Sequence, residues 1–158
     1  MKSTNMNVDT GNKTWITPRS ILAPLLEFDL DPCCSPTMPW RTARQMVHYP
    51  DDGLKVEWNG KRVWLNPPYG RASVPFLEKM AKHDGGGIAL LFGRTDTRAW
   101  HELVFPYAKG FLFMKGRIKF CSEDGNIAGS APAPSILVAY SWDDFFILSR
   151  SGIAGKVI

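Results

Sequence analysis

Residues 82–97 read KHDGGGIALLFGRTDT. A charged helix end gives way to a Gly-rich stop, then to a nearly continuous apolar run (87–93), then to a polar turn. An apolar run without alternation is the pattern of a strand covered on both faces, and such strands belong to parallel sheets flanked by helices. Upstream, SVPFLEKMAKH (73–83) places its apolar residues at helical spacing, and DGGG (84–87) ends that helix. The glycines are not a phosphate loop, because no Gly-Lys-Ser follows and a strand comes next. Downstream, TRAWHELVFPYA (97–108) is helical in its first part.

The same alternation extends in both directions. EFDLD (27–31) and RVWLN (62–66) read as strands, as do GFLFM (110–114), SILVAY (135–140) and FFILS (145–149). In TWITPRSILAPLLEF, Thr17 is expected to cap a helix with Pro18 at its first position; Ile21, Leu22, Leu25 and Leu26 share one face, and Pro24 kinks or shortens it. Residues 35–60 show no clean periodicity. The expectation is an α/β fold with helices on both faces of a sheet, parallel in its core and with an antiparallel pair at one edge. The polar residues 1–13 are expected to be a flexible tail, and 14–158 to form one domain.

The chain has 158 residues, 44% of them hydrophobic and 22% charged, with a net charge of +4. That mildly favours a polyanionic partner. Three cysteines, two of them adjacent (Cys33, Cys34), make no disulfide framework and no zinc-type Cys pair, and His48, His83 and His101 lack metal-ligand spacing. No metal is therefore expected. The polar N-terminus lacks the apolar core of a signal peptide, and no run of about 20 apolar residues could span a bilayer. A soluble, reduced, cytoplasmic protein is expected, with no membrane partner.

In open α/β sheets, ligands bind outside the carboxyl ends of strands. Three polar, conformationally restricted stretches fall there: DPCC (31–34), NPPYG (66–70) and GRTDT (93–97). In NPPY, two prolines stiffen the turn and remove donors. The Asn66 side-chain oxygen and the Pro67 carbonyl are acceptors suited to an NH2 group, and Tyr69 offers a face for stacking a ring. Hydrogen bonds to both protons of a nucleobase amine would localise its nitrogen lone pair, which favours attack on an activated methyl group.

The order Trp15-x-Thr17-Pro18, Asp31-Pro32, Asp52-Gly53-Leu54 with Trp58, and Asn66-Pro67-Pro68-Tyr69 resembles the phage-type DNA N6-adenine methyltransferases. The resemblance continues through Arg94-Thr95-Asp96-Thr97, Gly116-Arg117 with Phe120, and Pro134-Ser135. It implies a single-domain, Rossmann-like S-adenosylmethionine-dependent methyltransferase sheet and methyl transfer to the N6 amine of a flipped-out adenine in DNA. Asn66, Pro67, Pro68 and Tyr69 would form the catalytic motif, with Asn66 also touching the cofactor. Trp15, Thr17, Pro18, Asp31, Pro32 and Cys33 would line the cofactor site, and Tyr69, Arg94, Asp96 and Arg117 would contact the substrate. Asp52 would lie near one of the adenines. A bacteriophage or prophage origin and a link to restriction-modification also follow from the resemblance.

The pattern departs from larger methyltransferases in one respect: DPCCSPTMP contains no glycine to let the backbone approach a cofactor. Sequence specificity is expected to come from loops, with no separate target-recognition domain. Two other readings stay open: a cytosine N4 methyltransferase, and a non-catalytic DNA-binding relative. Cys33–Cys34 reads as small packing rather than a nucleophile. Arg94, Asp96 and Arg98 read either as a solvated turn or as part of the site. Arg117 and Lys119 are either phosphate contacts or solvated surface.

Overall fold

The computed structural model describes residues 15–48 and 51–158. The expected N-terminal tail lies outside the described residues. A seven-stranded sheet organises the chain in the order β2-β1-β3-β4-β8-β5-β9. Its strands are β1 (Leu30–Asp31), β2 (Gln45–Met46), β3 (Val63–Leu65), β4 (Gly87–Phe92), β5 (Gly110–Met114), β8 (Ser135–Ala139) and β9 (Gly155–Val157). A separate hairpin pairs β6 (Lys119–Cys121) with β7 (Ile127–Ser130). The chain segment before the first helix joins this hairpin through an antiparallel bridge between Ile16 and Cys121.

β1, β2, β3 and β4 run parallel, whereas β8 is antiparallel to both β4 and β5. The antiparallel element therefore sits inside the sheet rather than at an edge alone. β9 pairs antiparallel with β5 and forms the outer edge. Adjacent residues on one strand serve two cores, so the apolar runs lack alternation. Leu65, Ala89, Leu91, Ile136 and Val138 pack with Leu77 and Met80 of α2 (Val74–Lys82) and with Trp100 and Val104 of a π-helical segment, Trp100–Val104. Trp64, Ile88, Leu90, Leu137 and Ala139 pack with Leu22 of α1 (Arg19–Leu22) and Leu148 of α3 (Trp142–Arg150). Helices thus cover both faces, as expected.

FFILS is the clear misreading: it lies within α3. Ser141 accepts the Asp144 N–H at 3.0 Å, and Asp143 and Asp144 occupy the first turn. This is a capped, acid-led helix start that outweighs a short apolar run. Thr17 does not cap α1; Pro18 holds that position in an extended conformation, with no side-chain cap. Pro24 does shorten the helix, which ends at Leu22 and passes into a 3-10 turn, Ala23–Leu25. The strands β2, β6, β7 and β9 went unseen because they are short or carry mixed, largely exposed residues.

Candidate functional site

Strand order reverses direction between β1 and β3: the chain moves from β1 outward to β2, then from β3 the other way to β4. The crevice outside the carboxyl ends of β1 and β3 is therefore a topological switch point, where ligands of open α/β sheets bind. DPCC follows β1 and NPPY follows β3, so the two motifs flank this crevice.

Side-chain alternation then selects the face. Leu65 points into the α2 side and Trp64 into the α1 side, so Asn66 continues on the side of Trp64 and α1. There its amide Nδ2 donates to the Thr17 hydroxyl at 3.4 Å. Thr17 is buried, and its carbonyl accepts the Trp40 indole N–H at 3.2 Å. With Nδ2 turned toward Thr17, the acceptor Oδ1 is the amide's other face, and no described residue donates to it or to the Pro67 carbonyl. Among the described residues, the two acceptors expected from sequence thus have no donor.

Tyr69 lies flat on Phe92, the last residue of β4, with ring centroids 4.4 Å apart and planes 8° from parallel. The residue is nonetheless 41% exposed, leaving ring surface open. Burial pushes its hydroxyl up to about 12, so the ring is neutral at working pH.

Asp31 is 3% exposed. One carboxylate oxygen accepts the Cys33 N–H at 3.0 Å and the other accepts the Thr42 hydroxyl. Both partners are neutral, and burial raises the carboxyl from 3.8 to about 6 against these two hydrogen bonds. Asp31 therefore braces the 31–34 loop and ties it to Thr42. Between pH 4 and 6 the folded chain holds more protons than the unfolded chain, so stability contributed by this group is greatest below about pH 4 and is lost as pH rises to about 6. Urea melts of wild type and Asp31→Asn across pH 4 to 7 check this. The stability difference, wild type minus variant, should fall with rising pH, and a pH-independent difference would remove the linkage.

The missing glycine of DPCCSPTMP is supplied from elsewhere. A Cβ on Gly53 would lie 1.9 Å from the Pro32 carbonyl oxygen, so only glycine lets the 52–54 turn back onto this loop. Trp58, fully buried, fixes that turn through its indole N–H to the Gly53 carbonyl at 2.9 Å. Asp52 accepts the Leu54 N–H at 2.9 Å and belongs to the same turn. Burial and the Asp31 charge push the Cys33 thiol upward, and Cys34 is pushed up to about 12. Neither is a poised nucleophile.

Trp15 packs edge-on against Phe120 of the hairpin at 5.3 Å, beside Thr17 and Pro18. Arg94 and Asp96 follow β4 and Arg117 follows β5; all three are exposed, with no side-chain partner among the described residues. Arg98 is instead engaged by Glu102 at 2.7 Å. The structure thus brings Thr17, Asn66, Tyr69 and Phe92 into contact pairs at one end of the sheet and leaves the arginines on its rim. Phe92 and Gly53 were not singled out from the sequence for these roles; an aromatic residue closing an apolar run just before a glycine was the available signal for Phe92. Among the described residues no group of three or more His, Cys, Asp or Glu could hold a metal ion, and no helix is long and apolar enough to cross a membrane.

A family model described as DNA N-6-adenine-methyltransferase (Dam) matches residues 3–149. A protein of Haemophilus phage HP1 (strain HP1c1), described as a DNA N-6-adenine-methyltransferase, is 25% identical over 121 residues, 73% of this chain and 68% of that protein. No solved structure matches.

Proposed function

The chain belongs to the DNA N-6-adenine-methyltransferase (Dam) family, and we propose that it uses S-adenosylmethionine to methylate the N6 amine of an adenine swung out of DNA. The observation that carries this reading is a pair of acceptors, Asn66 Oδ1 and Pro67 C=O, to which no described residue donates, at the switch point of the sheet.

The residues present fit the cofactor. It is a sulfonium cation, and the crevice is bordered by a buried carboxylate, Asp31, whose described partners are both neutral. A cation nearby lowers the cost of keeping that carboxylate ionised. Thr17 and Pro18, Trp15, and the loop of Asp31, Pro32 and Cys33 would hold the cofactor. When bound, it supplies an activated methyl group.

The chain's own residues do the rest. Asn66 Oδ1 and the Pro67 carbonyl accept the two amine hydrogens and draw the nitrogen toward a pyramidal form, its lone pair no longer shared with the ring. Pro68 keeps the turn stiff. Tyr69 stacks the base so that this lone pair is aimed. Neither acceptor is a strong base, and none is needed: the amine becomes acidic as it is alkylated, and solvent takes its proton. Arg94 and Arg117, exposed beyond β4 and β5, would contact the phosphate backbone, and Asp96 would accept from a donor group of the DNA.

The test is incubation of unmethylated genomic DNA with labelled S-adenosylmethionine, followed by digestion to nucleosides. N6-methyladenine is the expected product. N4-methylcytosine would transfer the reading to the smaller base, and DNA binding without methylation would favour a non-catalytic relative.

A further inference from the structure

We propose that Phe92 is a positioning residue for the target base: it is the fixed shelf that sets the angle of Tyr69. This rests on the reading of Tyr69 as the ring on which the base stacks. Tyr69 sits in a turn, and its hydroxyl has no hydrogen-bond partner among the described residues, so nothing polar fixes the rotation of its ring. The stack on Phe92 is what orients it, at 4.4 Å and 8°.

Phe92, unlike Tyr69, is held by the sheet. It pairs across β8 with Ser135, and its carbonyl accepts the Trp100 indole N–H at 3.2 Å and the Arg94 N–H at 2.8 Å. Immediately after it, the Gly93 N–H donates to the Pro134 carbonyl at 2.8 Å. The orientation of a loop residue is thereby borrowed from the central strands. One face of Tyr69 is covered by Phe92, so a flipped base adds to the other face, giving a three-layer stack of Phe92, Tyr69 and base. Near-parallel rings in an offset stack are favourable, and a ring already oriented loses less freedom when the base arrives.

The experiment is steady-state methylation of genomic DNA by wild type, Phe92→Leu, Phe92→Met, Phe92→Tyr, Tyr69→Ala and the double variant Phe92→Leu/Tyr69→Ala, each checked for folding by thermal melting. Phe92→Leu and Phe92→Met should raise KM for DNA by about tenfold, with a smaller fall in kcat and unchanged cofactor affinity. Phe92→Tyr, which keeps a flat ring, should restore KM. In the Tyr69→Ala background, Phe92→Leu should change KM by less than about twofold, because the shelf has nothing left to hold. If Tyr69→Ala is impaired while folded Phe92→Leu and Phe92→Met behave as wild type, the inference fails and the reading of Tyr69 stands. Equal losses from Phe92→Leu in both backgrounds would also overturn it, since Phe92 would then act independently of Tyr69. An unimpaired Tyr69→Ala would overturn the stacking reading and the inference with it.

Discussion

Asn66→Ala is expected to lower kcat about 10²-fold or more while leaving cofactor affinity nearly unchanged. The amide oxygen, oriented by the Nδ2 contact to Thr17 at 3.4 Å, meets an amine whose positive charge grows only as the methyl group is transferred. An interaction that strengthens in the transition state appears in kcat rather than in ground-state binding. The Pro67 carbonyl remains in the variant, so one of two acceptors survives and activity does not vanish. Asn66→Asp keeps an acceptor oxygen and should fall between wild type and Ala. Single-turnover methylation with saturating DNA and cofactor, beside a cofactor titration, measures both quantities. Wild-type turnover in folded Asn66→Ala would reduce NPPY to a stiff turn and remove the chemical argument built on it.

The parts of this site legible in the sequence are those written in local covalent chemistry. Prolines, an amide and an aromatic ring after an apolar run predict a rigid, acceptor-bearing strand end wherever the strand lies in the sheet. The β4 run predicted coverage on both faces for the same reason, and both cores are present. What stayed illegible depended on partners distant in sequence. Gly53 matters only because Pro32 lies against it, and Phe92 only because Tyr69 folds onto it. Asp31 is legible as a strand-end carboxylate, but its partner Thr42 is not, because Thr42 comes from the aperiodic 35–60 segment. FFILS failed for a different reason: five apolar or small residues carry no period of their own, and the helix was announced by Ser141 and its two aspartates, upstream of the run.

Asp144→Ala is expected to destabilise the fold by about 3–5 kcal/mol, the largest single-residue loss of stability anticipated here. Asp144 is 1% exposed and lies at the amino-terminal end of the sheet, opposite the NPPY turn. One oxygen takes the Arg62 Nε–H at 2.7 Å; the other takes the Gly87 N–H at 2.7 Å and the Ser141 hydroxyl. Arg62 in turn donates to the Glu27 carbonyl at 3.0 Å and lies 4.1 Å above the Phe28 ring. One carboxylate therefore ties α3 to the starts of β3 and β4. Removing it leaves the Arg62 charge, whose Nη2 is already buried with no partner among the described residues, and the Gly87 N–H uncompensated. Asp144→Asn retains an acceptor and should lose less. In a chain of this size the Ala variant should melt about 6–20 °C below wild type. At temperatures well below that melting point its kcat should stay within about twofold of wild type, because none of these contacts reaches the carboxyl ends of the strands. A melting shift under about 2 °C would mean that the buried pair contributes no more than an exposed one. A large loss of kcat in the still-folded variant would mean that the two ends of the sheet are coupled. The separation expected here, with stability anchored at one end of the strands and chemistry at the other, leaves the residues beyond Leu65 and Phe92 free to be chosen for the methyl transfer.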